Sequence, residues 1–269
     1  MKIALVDSGI GLLPAAAAVR RLRPDADLVL STDPDGLPWG PRTPGDIAAR
    51  ALACARAAEA HRPDALIVAC NTASVHALPA LRTELEPAVP VIGTVPAVKP
   101  AAASGGPVAV WATPATTGSA YQRRLIDDFG NGAVVTEVPC HGLADAVESG
   151  DEDLIDDAVA AAGQRTPPGV RAVVLGCTHY ELVGARIRAA AAHGGPLPEL
   201  YGSAGAVAAQ ALRRLGAPPA PDAPATGGLT VLLSGRTGEL PQVARTYAEG
   251  RLLADALPAP AGRRPPEAH

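Results

Sequence analysis

The chain has 269 residues, enough for one or two domains and for a core that can enclose a site. Its net charge of −4, with acidic and basic residues interspersed, offers no basic stripe for nucleic acid or for an anionic membrane surface. No apolar run approaches the ~20 residues of a membrane span, the opening run is too short for a signal peptide, and the four cysteines form neither a CxxC pair nor a metal-ligand spacing, so reduced thiols and a cytoplasmic location are expected.

Residues 2–6 read as a first strand that breaks at Asp7-Ser8-Gly9-Ile10-Gly11, before a helix over 12–23. Asp7 and Ser8 then stand at a strand's carboxyl end, where open α/β sheets bind ligands, although an ordinary helix cap would use the same residues. The glycines lack the third member of a dinucleotide fingerprint. A second strand over 27–32 leads to Pro38-Trp39-Gly40-Pro41-Arg42, a loop whose tryptophan either covers a pocket or pins the loop to the body. A long alanine-rich helix follows, with Cys54 inside it as a small buried hydrophobe.

The run 65–69 reads as a buried parallel strand ending in Cys70-Asn71-Thr72, followed by a helix over 72–85 and a short strand over 89–93. Residues 94–103 connect to a strand over 108–112. It ends in the hydroxyl cluster Thr113, Thr116, Thr117 and Ser119 ahead of a helix over 120–129, a combination suited to a carboxylate ligand. A strand over 133–138 precedes Cys140 and a helix carrying Glu148. The run 172–176 repeats the buried-strand pattern and delivers Cys177-Thr178-His179-Tyr180, with helices expected over 181–192 and 203–215. A linker over 218–228, a strand over 229–234 and a helix over 239–254 complete the pattern. The remainder, 257–269, is expected to be a disordered tail.

Asp7 precedes Cys70 by 63 residues and Thr113 precedes Cys177 by 64. The reading is an α/β fold of two similar parallel-sheet, Rossmann-like lobes, related by pseudo-twofold symmetry around a central cleft, with one thiol from each side. Residues 1–95 with about 208–256 would form one lobe, and 96–207 the other. Two facing thiols suit stereoinversion, one removing a proton from a carbon and the other returning it on the opposite face. A one-thiol nucleophile with His179 as its partner stays open on the residues alone.

Together the motifs around Asp7, Trp39, Cys70, Thr113 and Cys177 resemble the glutamate racemases, in order from position 2 to about 250. The resemblance implies a racemase of the aspartate/glutamate racemase superfamily that needs no cofactor or metal and takes a small amino acid, with a homodimer as the assembly expectation and D-glutamate for peptidoglycan as the product. It implies Cys70 and Cys177 as the acid/base pair, assisted by Asp7 and His179. Substrate contacts carried over are Asp7, Ser8, Trp39, Gly40, Asn71, Thr72, Thr113, Thr116, Ser119, Glu148, Thr178 and His179. Trp39 stands where the family usually has tyrosine, and Leu12 follows Gly11 where it usually has a second glycine. Another amino-acid substrate and a non-catalytic ligand-binding relative are therefore kept as alternatives.

Overall fold

A computed structural model describes residues 1–255, and the tail expected over 257–269 lies outside the described residues. Among the described residues ten strands run in chain order as β1 (Lys2–Asp7), β2 (Asp27–Thr32), β3 (Ala65–Val68), β4 (Val91–Gly93), β5 (Val108–Ala112), β6 (Val135–Pro139), β7 (Ala172–Leu175), β8 (Glu199–Tyr201), β9 (Leu229–Leu233) and β10 (Arg236–Gly238). One sheet has the order β10-β9-β2-β1-β3-β4 and the other β6-β5-β7-β8. All pairings are parallel except the β9–β10 hairpin.

The order β2-β1-β3-β4 recurs as β6-β5-β7-β8, so the two lobes repeat one topology and the first is extended by β9 and β10. In each lobe the cysteine-bearing strand lies beside the strand with the polar end: β3 beside β1, and β7 beside β5. Apolar residues on both faces leave β3, β5 and β7 fully buried, and β1 likewise after Lys2, as a parallel sheet covered by helices on both sides requires. One continuous apolar core, from Ile3 and Leu5 through Trp111 to Tyr180 and Leu212, joins the two lobes, and smaller clusters fill the outer face of each sheet.

Several expected elements differ. The helix over 72–85 is two helices, Asn71–His76 and Leu78–Leu85, broken at Ala77 (φ −112°) just before Pro79, whose nitrogen carries no hydrogen for a continuous helix. The segment 94–103 contains a helix, Val98–Ala103. The helix expected over 181–192 begins later, at Gly184, after a 3-10 turn over Thr178–Val183. The segment 239–254 opens with a 3-10 turn, Gln242–Thr246, before the helix Ala248–Asp255. Ahead of it the chain doubles back from β9 into β10 through Ser234 and Gly235, both at positive φ (46° and 79°), the backbone that a tight two-residue hairpin demands.

The helix Ala204–Arg214 packs against the helix Leu13–Leu22 and against β3 and β4, and Ala248–Asp255 packs against Leu13–Leu22 as well. Buried Arg20 fastens this region, donating to the carbonyls of Pro24, Ala26 and Gly228 at 3.0, 2.8 and 2.9 Å. Among the described residues no helix is long and apolar enough to cross a membrane.

Candidate active site

The carboxyl ends of β1, β3, β5 and β7 converge on a cavity of about 520 Å³ between the lobes. Ser8, Trp39, Gly40, Asn71, Thr72 and Cys70 line it from the first lobe, and Thr113, Thr116, Glu148, Cys177, Thr178 and His179 from the second. Asp7 lies fully buried behind this lining, next to the Cys70 thiol. Ser119 is not part of the wall. Its hydroxyl accepts from Gln122 N at 3.1 Å and caps the helix Ala120–Phe129.

Each thiol has its own partners. Cys70 stands two residues past the end of β3, at the cap position of Asn71–His76, where its sulfur faces the Ala73 N–H. Burial, followed by the neighbouring Asp7 carboxylate, pushes the Cys70 thiol well up, and the Ala73 amide opposes this only in part. Burial also raises Asp7 to about 6, although the His179 charge, the Cys70 thiol and the Ser8 N–H at 2.7 Å all favour its ionised form. Its other oxygen, Oδ2, has no hydrogen-bond partner. Neither Asp7 nor Ser8 caps the following 3-10 turn over Ile10–Leu12, so the capping alternative for this stretch does not hold.

On the other side Cys177 Sγ lies 3.8 Å from His179 Nδ1, while His179 Nε2 lies 2.8 Å from Glu148 Oε2. Burial disfavours the imidazolium, but the hydrogen bonds to Cys177 and Glu148 outweigh it and hold His179 well above the usual histidine range. A protonated ring then donates from both nitrogens, to the thiol on one side and to the carboxylate on the other. Glu148 Oε2 also accepts from Ile10 N of the first lobe at 2.9 Å. The glycines of the first loop make this approach possible. A Cβ on Gly9 would lie 2.2 Å from the Glu148 carboxylate, and one on Gly11 would lie 2.4 Å from His179 Nδ1.

Trp39 does both things expected of it. Its indole N–H donates to Asp33 Oδ2 at 3.0 Å, and that carboxylate also accepts from Arg50 at 3.1 Å and from Ser234 at 3.0 Å, so the loop is pinned to the body. The same ring lines the cavity, and with its one polar atom engaged elsewhere it joins Leu37, Pro38 and Pro41 in an apolar wall. Asn71 donates through Nδ2 to the Gly176 carbonyl at 2.8 Å, which leaves its buried Oδ1 without a partner. Thr113 and Thr116 pair their hydroxyls at 3.2 Å.

Sequence reasoning missed several wall residues, Cys140 and Asp145 among them. Cys140 follows β6, and the strand-end rule that picked out the other two cysteines applies to it equally. Asp145 precedes Glu148 by nearly one helical turn, and that i, i+3 spacing was the available signal. Among the described residues no group of three or more His, Cys, Asp or Glu is arranged to hold a metal ion.

This arrangement defines the class: a two-lobed α/β enzyme with paired, separately partnered thiols across an interlobe cavity. The architecture is similar to that of Escherichia coli glutamate racemase in complex with L-glutamate and the activator UDP-MurNAc-Ala, with 30% identity, a TM-score of 0.72, and coverage of 81% of this chain and 84% of that one. It is similar also to glutamate racemase from Thermus thermophilus in complex with β-chloro-D-alanine, at 28% identity and a TM-score of 0.69 over 96% and 94% of the two chains. Among curated sequences, glutamate racemase of Roseiflexus sp. (strain RS-1) is 41% identical over 194 residues, which span 70% of this chain and 71% of that protein. The Asp/Glu/hydantoin racemase family model matches residues 13–211, and the chain belongs to that family. It is an isomerase, a racemase acting on amino acids.

Proposed function

We propose that the chain interconverts L- and D-glutamate by proton transfer between Cys70 and Cys177, and so supplies D-glutamate for peptidoglycan in the cytoplasm. The observation that carries the reading is the pair of thiols at equivalent strand ends of the two lobes, both lining one cavity and each with its own partner set. In the L-to-D direction the Cys177 thiolate takes the α-proton, beside an imidazolium that Glu148 orients. The electron pair left on the α-carbon delocalises into the carboxylate, and the Cys70 thiol, kept protonated by burial, delivers its proton to the opposite face. Ser8, Thr72 and Thr178 are suited to donate to the carboxylate as it gains enolate character, when such bonds strengthen most. The D-to-L direction begins from the reversed protonation state, so a single mobile proton is shared between the two sides.

The apolar wall of Leu37, Pro38, Trp39 and Pro41 favours a second reading, a racemase of a different amino acid. Loss of α-proton signal in heavy water, followed over a panel of D- and L-amino acids, decides between them. Glutamate should exchange fastest and invert. In Cys70→Ser and Cys177→Ser, racemisation should vanish while exchange persists from one enantiomer only, and parental racemisation in either variant would exclude the two-thiol scheme.

A further inference from the structure

Asn71 directly follows one thiol, and the carbonyl it bonds belongs to Gly176, which directly precedes the other. This buried 2.8 Å bond therefore joins the two lobes at the residues flanking the reacting sulfurs. The direction of the side chain is fixed, because the Gly176 carbonyl can only accept, so the amide must turn its NH₂ group toward it.

Both ends of the bond are anchored. Gly176 N donates to Trp111 O of β5 at 2.7 Å, and a Cβ on Gly176 would stand 2.8 Å from that same carbonyl, so this segment lies flat against the second sheet. Asn71 opens its helix straight from β3, and Ser74 N returns to the Cys70 carbonyl at 2.9 Å. Two other side-chain bonds span the lobes nearby, Ile10 N to Glu148 and Tyr247 Oη to the Val147 carbonyl. Both of these hold the helix Leu143–Ser149; the first reaches the Cys177 segment only at one remove, through Glu148 Oε2 and His179, and neither bonds the Gly176 backbone.

We propose that Asn71 is a positioning residue, a latch whose bond to the Gly176 carbonyl sets the separation of the two thiols across the cavity. This rests on the two-thiol reading of the reaction. After a thiolate has removed the α-proton, the carbanion has two fates. It is protonated on the opposite face by the other thiol, which inverts the centre, or it takes a deuteron back from the first sulfur after exchange with solvent, which retains it. A thiol set back by about 1 Å slows the first fate on a scale of about 100-fold and leaves the second intact.

The test measures two rates on glutamate in heavy water, α-proton loss by proton NMR and inversion by chiral chromatography, for the parent, Asn71→Ala and Asn71→Asp. In both variants at pH 8 the ratio of exchange to inversion should rise by about 10- to 100-fold. In Asn71→Asp it should fall back toward the parental ratio at lower pH, where the protonated carboxyl regains a donor for the Gly176 carbonyl. A lost substrate contact or a loosened fold would lower both rates together, and an unchanged ratio in both variants overturns the proposal. Hydrogen exchange over 176–179 gives a readout independent of turnover. It should accelerate in Asn71→Ala, and unchanged protection overturns the latch. A parent that neither exchanges nor inverts any amino acid of the panel overturns the racemase reading instead, and the latch is then judged on hydrogen exchange alone.

Discussion

Replacing Asp7 by asparagine should stabilise this protein at alkaline pH while damaging its chemistry. The side chain is fully buried, one oxygen accepts from Ser8 N at 2.7 Å and from the Ser8 hydroxyl at 3.5 Å, the other has no partner, and the group is raised from 3.8 to about 6. Below pH 3.8 the carboxyl is protonated in the folded and the unfolded chain alike. As the pH rises to about 6 the unfolded chain ionises first, so folded stability drains away across this window and the loss is complete above it. A carboxyl moved from 3.8 to about 6 represents about 3 kcal/mol, a net figure in which the attraction to His179 is already counted. Asparagine keeps the shape and the acceptor for Ser8 but never ionises. Urea unfolding of the parent and Asp7→Asn should therefore give a difference of up to about 3 kcal/mol at pH 8 that mostly disappears near pH 4. For a chain of this size each kcal/mol corresponds to about 2–4 °C in melting temperature. An equal increment at both pH values, or a variant less stable than the parent at pH 8, would refute the reasoning. Racemisation should fall in the same variant, since Asp7 is the acidic neighbour of Cys70.

Two further substitutions probe the walls of the site. Gly11→Ala places a methyl group 2.4 Å from His179 Nδ1 and 2.5 Å from Asp7 Oδ2, so it should lower racemisation by at least about 100-fold, the scale of a ~1 Å misplacement, while circular dichroism shows a folded chain. Trp39→Phe removes a buried donor to a charged acceptor and should cost about 1.5–3 kcal/mol in thermal unfolding. The same change enlarges the apolar wall's space, so relative turnover of 2-aminoadipate over glutamate should rise in a competition assay.

The parts of the fold that could be read from the sequence are those governed by local rules. Strands buried on both faces announce themselves as apolar runs, and the residues just past their carboxyl ends face the cleft whatever the details of packing. For that reason Asp7, Cys70, Thr113 and Cys177 could all be placed on one site before any coordinates. What could not be read depended on partners distant in sequence. The Trp39 indole could not be oriented without Asp33, which is held in turn by Ser234 from the far end of the chain. β10 is three residues long with no alternating pattern, and it exists because β9 offers an edge to pair with.

The placement of β9 bears on how the protein is made. β2 pairs with it from Leu28↔Leu229 to Thr32↔Leu233, so an interior strand of the first sheet waits for a neighbour about 200 residues downstream. Until that segment leaves the ribosome, the β2 edge carries unpaired amides beside Leu28, Val29 and Leu30, three side chains fully enclosed in the finished structure. The second lobe, whose four strands all lie between 108 and 201, can close during this interval, whereas the first cannot. Synthesis therefore passes through a stage with one lobe formed and the other open along an apolar edge, the stage most exposed to aggregation and to chaperone capture.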